Sequence, residues 1–435
     1  MAIDNKDKKV LKSSIEREQN ELACSAEREK IKGSKNLNVP PLRFPEFNGE
    51  WEKCKISDLL DFYSTNSLSW EQLEYDTNAM MNLHYGLIHV GLPTMIDLAK
   101  DKLPNIKEGN MPKNFEMCKE GDVAFADASE DTNEVAKTVE FFKLAGKNVV
   151  CGLHTIHGRD NKHKTVVGFK GYAFLSATFH NQIRRIAQGT KIYSISTKNF
   201  SECYIGLPSK PEQTKIATLL RLIDERIATQ NKIIEDLKLL KSAIIHRCYS
   251  SQTNMIPLSE LLKQCSDRNR SGSDLQVLSV SNKYGFIAQS DQFEDREVAS
   301  DDTSNYKVVK KGMFAYNPAR INVGSIALYE MDSNGIVSPM YVCFTTKSEL
   351  LPSYLKYYFA SQTFKHEMYK RLEGSVRLCL TFEELCNIEI HLPSIEQQKN
   401  ISKYISKIEN NLSLVDSIFS KYQQQRRYLL SQMFI

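Results

Sequence analysis

The chain has 435 residues, of which 41% are hydrophobic and 25% are charged, a composition typical of a soluble globular protein. This length predicts two or more domains, because single hydrophobic cores stop growing well below it. The formal net charge of +4 permits a nucleic-acid partner without requiring one, and the sequence contains no run of about 18 apolar residues that could span a bilayer.

The first segment, residues 1–38, is rich in charged residues and predicts a charged N-terminal arm. It lacks the apolar stretch of a secretory signal, so we expect a cytoplasmic protein with no membrane partner. Ten cysteines are scattered along the chain and nowhere form a Cys-x-x-Cys motif. In a cytoplasmic chain this pattern favours reduced, mostly buried thiols over disulfides.

Residues 39–210 are predicted to form a globular domain of mixed α+β structure, with strands at 149–153 and 191–196 and a helix at 174–187. A loop around Gly189 carries basic and polar residues. Such a loop can place arginine and threonine side chains against phosphates or base edges, although a solvated surface is the ordinary fate of charged loops. The predicted DNA-binding residues here are Arg184, Arg185, Thr190 and Lys191.

Residues 211–250 predict a long helix, since no proline or glycine follows Pro211 and Leu, Lys, Glu and Ala are abundant. Apolar residues recur at alternating steps of four and three, which indicates a coiled-coil seam. Lys241 interrupts the seam, and it either fixes the register of helix pairing or extends its charge to solvent near the helix end. The predicted seam residues are Ile216, Ile223, Ile227, Ile234 and Leu237.

Residues 251–393 predict a second mixed α+β domain, with strands at 324–329 and 340–345 and helices at 354–360 and around 364–371. A loop around Gly374 resembles the Gly189 loop, and another polar loop occupies residues 317–322. Both loops are candidate DNA contacts for the same reason as the first. The predicted residues are Asn317, Arg320, Asn322, Arg371, Ser375 and Arg377.

The last segment, residues 394–435, predicts a second long helix with the same stepping of apolar residues. Arg426 interrupts its seam at the position that corresponds to Lys241. The predicted seam residues are Ile401, Ile408, Leu412, Phe419 and Tyr422.

The two halves of the chain repeat each other. Residues 186–208 align with 371–393 without a gap after a shift of 185 positions, and the same shift brings the two helix seams into register. An apolar stripe about 60 Å long cannot be buried in a small domain, so we expect the helices to pair antiparallel about a pseudo-two-fold axis. Two domains at the ends of such a rod would contact two DNA segments roughly 17 base pairs apart.

Catalytic motifs are missing from the sequence. It contains neither the phosphate-binding G-x-x-x-x-G-K-[ST] pattern nor a G-x-G-x-x-G after a predicted strand. The run Asn317-Pro318-Ala319-Arg320 partly matches the Asn-Pro-Pro-aromatic site of amino-methyltransferases, but it lacks the second proline and the aromatic residue. His154, His157 and His163 are spaced like metal ligands, yet no cysteine or carboxylate completes a recognisable set. We therefore predict no catalytic residue and no metal.

Three features together resemble the specificity subunits of type I restriction-modification enzymes. One is the opening phrase VPPLRFPEFNGEW at residues 39–51. The second is LPSKPEQTKIA at 207–217, which is similar to the family's entry into its long spacer helices; the second copy departs from it, with IEQQKNI at 395–401. The third is the order domain, helix, domain, helix. The resemblance covers residues 39–435.

The resemblance implies two target recognition domains, each reading half of a split double-stranded DNA site, and helices that dock two methyltransferase subunits. Those partners would bind S-adenosylmethionine, and restriction subunits would use ATP and Mg²⁺, whereas this chain would bind no cofactor and perform no chemistry. From the residues alone, a coiled-coil scaffold whose domains bind proteins is the alternative. Salt-dependent DNA affinity distinguishes the two, because only phosphate contacts release counterions.

Overall fold

The computed structural model describes residues 38–77, 79–251, 253–270, 274–289, 302–374 and 378–435. The chain divides into two compact units. The first unit extends to Ala228 and includes Ser420–Ile435, and the second unit is Thr229–Phe419. Each unit combines one globular domain with parts of both long helices, so the helices are not separate domains. Within the described ranges, no helix is both long and apolar enough to cross a membrane.

The first unit is built from short strands and helices. Its strands are β1 (Glu52–Lys55), β2 (Asp61–Tyr63), β3 (Leu73–Glu74), β4 (Met81–Leu83), β5 (Met95–Asp97), β6 (Asn105–Ile106), β7 (Val123–Ala126), β8 (Ala128–Ser129), β9 (Thr138–Lys143), β10 (Val149–Cys151), β11 (Thr155–Arg159), β12 (Tyr193–Ser194) and β13 (Tyr204–Leu207). Its helices are α1 (Ile56–Leu59), α2 (Tyr85–His89), α3 (Phe169–Ala173), α4 (Ala177–Ile186), α5 (Thr197–Ser201) and the beginning of α6 (Lys210–Tyr249), with a 3-10 turn at Trp70–Gln72.

A five-stranded sheet, in the order β2-β11-β7-β9-β5, forms the centre of the first unit. All four residues of β7 are buried, and successive side chains of a strand point to opposite faces. Phe125 accordingly packs into one core cluster, while Ala124 and Ala126 pack into another. The sheet therefore has a hydrophobic core on each side. A four-stranded sheet, β10-β4-β6-β3, and the pairs β1-β13 and β12-β8 complete the domain.

The second unit repeats this plan. Its strands are β14 (Met255–Pro257), β15 (Leu262–Cys265), β16 (Gln276–Ser281), β17 (Gly285–Ala288), β18 (Lys307–Val309), β19 (Phe314–Tyr316), β20 (Ile326–Leu328), β21 (Gly335–Val337), β22 (Val342–Thr346) and β23 (Glu389–His391). Its helices are α7 (Leu258–Leu261), α8 (Pro352–Phe359), α9 (Gln362–Lys370), α10 (Phe382–Cys386) and most of α11 (Ile395–Gln432), with a 3-10 helix at Pro318–Val323.

Strand pairing confirms the internal repeat. The sheet β15-β22-β19-β20 corresponds to β2-β11-β7-β9, and the pair β14-β23 corresponds to β1-β13. The registers agree as well: His157 pairs with Ala124 in the first unit, and Cys343 pairs with Ala315 in the second. The register thus gives the buried positions of these strands counterparts in the other domain.

The elements predicted from periodicity are present. The strands expected at 149–153, 191–196 and 324–329 contain β10, β12 and β20, and the strand expected at 340–345 overlaps β22. The helix expected at 174–187 begins later, because the Ser176 hydroxyl accepts a hydrogen bond from the Phe179 amide and so caps α4 at Ala177. The helices α6 and α11 begin and end within a few residues of 211–250 and 394–435.

The long helices contribute to the cores of both units. In the first unit, Ile216 and Ile223 of α6 share a core with Leu429 of α11. In the second, Ile245 of α6 shares a core with Ile405 of α11. The early part of one helix thus lies beside the late part of the other, so the segments run antiparallel within each unit. Four of the predicted seam residues are buried, namely Ile216, Ile223, Ile234 and Ile408. The other six are half-buried: Ile227, Leu237, Ile401, Leu412, Phe419 and Tyr422.

The polar residues of the seam are paired across the helices. In the first unit, the Asp224 carboxylate accepts hydrogen bonds from Arg426 Nε, at 2.5 Å, and from the Tyr172 hydroxyl, at 3.0 Å. A shift of 185 positions reproduces this set in the second unit, where Glu409 accepts from Lys241, at 2.6 Å, and from Tyr357, at 2.9 Å. Burial raises the pKa of both tyrosines, which keeps the phenols protonated as donors. Lys241 and Arg426 therefore tie the helices together instead of extending into solvent.

We expect these pairs to fix helix register at modest energetic cost. A double-mutant cycle with Asp224→Asn and Arg426→Gln should give a coupling energy of about 1 kcal/mol, because the pair is half-buried and shares a tyrosine donor. Urea unfolding of the four proteins measures it. The control is Arg221–Glu225, an ion pair within α6, whose coupling should be about 0.3–0.5 kcal/mol. Equal coupling in the two cycles would contradict a special role for the cross-helix pair.

Candidate nucleic-acid interface

The Gly189 loop is a tight hairpin. The backbones of Gln188 and Ser194 exchange two hydrogen bonds of 2.9 and 2.8 Å. Gly189 has φ +139°, and a Cβ atom there would lie 1.9 Å from the carbonyl oxygen of Ile192. Only glycine fits such a close backbone approach. The sequence repeat at this glycine therefore reflects a requirement of the backbone.

The second unit contains the equivalent hairpin. Glu373 and Cys379, 185 positions after Gln188 and Ser194, exchange backbone hydrogen bonds of 2.9 and 2.8 Å, and Gly374 has φ +113°. Two predicted DNA contacts of this loop, Ser375 and Arg377, lie outside the described residues.

The four candidates of the first unit are all exposed. Arg184 donates a hydrogen bond to Asn133, at 2.8 Å, and another to Asn181. The side chains of Arg185, Thr190 and Lys191 form no hydrogen bond with any other residue that the structure describes. These three side chains are therefore available to an external partner.

In the second unit, the two predicted polar loops lie side by side. The Leu380 amide, just after the Gly374 hairpin, donates to the carbonyl of Pro318 at 3.1 Å. Asn317 serves the fold directly, because its side chain accepts the Ala319 amide and caps the 3-10 helix. Arg320 and Asn322 are exposed on that helix. A shallow cleft of about 500 Å³ lies between the loops, lined by Asn317, Pro318, Ala319, Arg320, Met340 and Cys379.

Arg371 is less available than the sequence suggested. Its guanidinium donates to the Glu367 carboxylate at 2.6 Å and to the Glu367 carbonyl at 3.0 Å. Lys370 bonds the same carboxylate at 2.8 Å, and these donors lower the pKa of Glu367. The positive charge at the end of α9 is therefore partly neutralised within the helix.

The corresponding loops of the two units differ in charge. The Ile195 amide donates to the carbonyl of Asp127 at 3.0 Å, just as Leu380 donates to Pro318, so residues 127–134 occupy the place of the 3-10 helix. Their sequence, DASEDTNE, is acidic, whereas PARINV at 318–323 is basic. The segments anchored by this equivalent hydrogen bond thus differ in charge, and also in structure, because one contains β8 and the other is a 3-10 helix.

The histidines do not form the metal site considered from spacing. His154 is half exposed and contacts Asp127, His163 is exposed in a turn, and His157 is buried against Asp122 at 2.7 Å. In the folded domain, however, two cysteines lie beside His157, namely Cys118 and Cys151. Their separation along the chain, 33 residues, matches no zinc motif, so sequence spacing gave no signal.

The phrases that carry the family resemblance meet in the first unit. Arg43, in the opening phrase, forms a bidentate ion pair with Glu212 of α6 at 2.7 and 2.8 Å. Trp51 packs edge-on against Phe434, and the Leu42 amide donates to the carbonyl of Gln432. The opening phrase therefore fastens the start of α6 and the end of the chain to the first domain.

A buried glutamine joins each long helix to its domain. The Gln213 side chain accepts the Val166 amide at 2.9 Å and donates to the carbonyls of Lys164 and Pro208 at 3.2 and 2.9 Å. Gln398, 185 positions later, accepts the Leu351 amide and donates to Glu349 and Pro393 at 2.8, 2.9 and 2.9 Å. Although the second junction departs from the first in sequence, it conserves this three-bond contact.

Comparison with known proteins agrees with this geometry. A family model described as "Type I restriction modification DNA specificity domain" matches residues 101–239 and 270–418, together more than half of the chain. The type I restriction enzyme MjaVIII specificity subunit of Methanocaldococcus jannaschii is 27% identical over 261 residues. That stretch is 52% of this chain and 60% of the relative.

Two solved structures share the fold. The S subunit of a type I restriction-modification system from M. genitalium superposes with a TM-score of 0.57 and 17% identity, over 91% of this chain and 99% of that chain. A chain solved in work on complex assembly and conformational transition of the type I R-M system superposes with a TM-score of 0.51 and 15% identity, over 90% of this chain and 98% of that chain. Because the family model matches the same domain-and-helix unit twice, the chain belongs to the family of type I restriction modification DNA specificity domains.

Proposed function

We propose that this chain is the non-catalytic specificity subunit of a type I restriction-modification complex and recognises a bipartite double-stranded DNA target. The observation that carries the proposal is the duplicated glycine turn, which the same pair of backbone hydrogen bonds closes in both units, whereas the neighbouring side chains differ. A split target with two unlike halves calls for such a pair of surfaces. This DNA-reading function belongs to the cytoplasm, where we expect the chain to act.

The chemistry would reside in partner subunits. Two methyltransferase subunits would supply S-adenosylmethionine, and restriction subunits would use ATP and Mg²⁺, while this chain binds no cofactor. Exposed apolar residues on the long helices support docking of proteins there, since exposed apolar patches commonly mark interfaces. These residues are Leu222, Ile233, Leu239, Leu240, Tyr404, Leu414 and Tyr428.

Methylation mapping and footprinting test this function. We expect host DNA to lose methylation at one bipartite motif when the gene is deleted, and the complex assembled with the methyltransferase subunit to protect two separated blocks. A single contiguous protected block would contradict recognition of the DNA target by two separate domains. DNA affinity that does not change with salt would favour the protein scaffold instead.

Removing two free cations at and next to the first hairpin should weaken DNA binding by the complex. If Arg185 and Lys191 each contact one phosphate, the double change to alanine lowers the slope of log affinity against log salt by about 2. A salt series of binding isotherms measures the slope. The matched control is Lys113→Ala, another exposed cation of the first unit, which should leave it unchanged. An unaltered slope in the double variant would place the phosphates elsewhere.

Helix length should set the separation of the half-sites. Seven residues inserted at corresponding positions of α6 and α11 add about 10 Å, which equals about three base pairs. We expect the methylated motif to keep both half-sites and to gain this spacing. Sequencing of the modified DNA gives the answer, and an unchanged gap would refute the helices as spacers.

A further inference from the structure

A cluster of potential metal ligands is buried inside the first unit. The sulfurs of Cys118 and Cys151 lie 3.6 Å apart, and one ligand atom from each cysteine and from His157 lie within 4.8 Å of one another. All three residues are buried.

Different parts of the domain position the three side chains. Cys118 precedes β7, and its amide donates to the Val149 carbonyl at 2.8 Å. Cys151 ends β10 in the four-stranded sheet, while His157 lies in the middle of β11 in the five-stranded sheet. An ion held here would therefore connect the two sheets of the domain.

The histidine is oriented as a metal ligand would be. Its Nε2 lies 2.7 Å from a carboxylate oxygen of Asp122, and Arg159 holds that carboxylate through two hydrogen bonds of 2.9 and 2.8 Å. With the proton on Nε2, the other ring nitrogen offers a lone pair. This Nδ1 atom is buried and has no hydrogen-bond partner among the described residues. Metal-bound histidines characteristically give their second nitrogen to a carboxylate in this way.

The second domain shows that the fold itself does not require these polar residues. In the first domain, Cys118 contacts Val149; in the second domain, Val309 pairs with Gly335 at the corresponding place, so Val309 corresponds to Cys118. Strand pairing likewise makes Cys343 the counterpart of His157. The second domain thus keeps the same sheets with apolar or thiol side chains at these positions. The counterparts of Cys118, Cys151, His157 and Asp122 are Val309, Val337, Cys343 and Met313.

We propose that Cys118, Cys151 and His157 bind a thiophilic cation, with Zn²⁺ the foremost candidate. Thiolate sulfur and imidazole nitrogen are its preferred donors, and an enclosed water molecule would complete the tetrahedral shell begun by the three protein ligands. Each thiol releases its proton as the metal–sulfur bond forms. The ion is structural, and the proposal does not depend on which DNA the chain recognises.

Metal content of the full-length chain tests the proposal. Reduced protein is loaded with Zn²⁺ and then desalted. Elemental mass spectrometry should then find one equivalent of zinc retained per chain. Co²⁺ in place of Zn²⁺ should give a sulfur-to-metal charge-transfer band. The variant Cys118→Val/Cys151→Val, which installs the residues of the second domain, should lose both signals. Cys203→Val, at another buried cysteine of the same unit, should keep both.

Thermal unfolding supplies a second readout. Zn²⁺ should raise the Tm of the wild type and not that of the double variant. Should the double variant fail to fold, X-ray absorption of the wild type decides, with two sulfurs expected at about 2.3 Å and nitrogen at about 2.0–2.1 Å. Failure of the wild type to retain metal, equal retention by the double variant, or a Cys118–Cys151 disulfide in freshly isolated protein would each overturn the site.

Discussion

Gln213→Leu should lower the free energy of unfolding of the first unit by about 3 kcal/mol. The side chain is 1% exposed and satisfies three backbone groups, those of Val166, Lys164 and Pro208. Leucine fills similar volume but leaves these groups buried without partners, and each such loss costs about 1–3 kcal/mol. Because the three bonds join α6 to the domain, local opening at this junction should also increase. Urea unfolding and amide hydrogen exchange at Val166 measure the two effects.

The repeat provides a matched test. Gln398→Leu should produce a similar loss in the second unit, since Gln398 bonds the corresponding three groups. The control is Thr214→Ala on the exposed side of α6, where a change should stay within about 0.5 kcal/mol. Loss of stability at Thr214 equal to that at Gln213 would mean that the helix, not the junction, is sensitive.

The second large effect concerns an ion pair buried in the first unit. Glu140 of β9 accepts the amides of Gly168 and Gly171 at 2.8 and 2.7 Å, and Lys170 lies 3.4 Å away. Neither charged side chain is more than 3% exposed. Burial raises the pKa of Glu140, which the lysine and the two amides oppose. The carboxylate thus both neutralises Lys170 and satisfies the first turn of α3.

Glu140→Ala should destabilise the first unit by about 3–5 kcal/mol, because Lys170 then remains buried without a counter-charge. Calorimetric or urea unfolding measures the loss. Glu134→Ala removes a partly exposed ion pair with Lys137 and should cost less than about 1 kcal/mol. A loss below 1 kcal/mol for Glu140→Ala would show that water reaches Lys170 readily.

The second unit indicates how the loss can be recovered. Strand register equates Glu140 with Leu328, and the 185-residue shift equates Lys170 with Leu355. Replacement of a buried ion pair by well-packed apolar residues is often neutral or stabilising. The double variant Glu140→Leu/Lys170→Leu should therefore regain more than half of the stability that Glu140→Ala loses. Further destabilisation in the double variant would mean that the two amides, rather than the lysine charge, dominate.

Much of the architecture could be predicted from the sequence. The 185-residue repeat, the two long helices and their seams depend on periodicity, which side-chain polarity along the chain records directly. Gly189 and Gly374 could be found because a backbone with positive φ restricts residue type. The candidate DNA contacts Arg184, Arg185, Thr190, Lys191, Arg320 and Asn322 are at the surface, as loop composition predicted, and their contact with DNA stays a prediction.

Contacts between distant residues could not be predicted in the same way. Periodicity left the role of Lys241 and Arg426 open, because their partners Glu409 and Asp224 lie about 170 and 200 residues away. The same holds for the three bonds of Gln213 and for the cluster of Cys118, Cys151 and His157. Hydrogen bonds and ligand sets depend on distances of a few ångströms, which spacing along the chain does not encode.

The sequence by itself determined the frame: two copies of a domain and a helix, because backbone geometry and hydrophobic periodicity repeat wherever the local pattern repeats. Only the tertiary structure decided which polar residues serve that frame and which remain free for a partner. Asn317 and Arg371 are engaged by their own unit, whereas Arg185 and Lys191 bond no described residue. The physical reason is that the sequence around a charged residue is the same whether its side chain pairs with a carboxylate of the folded chain or with a phosphate of an external partner.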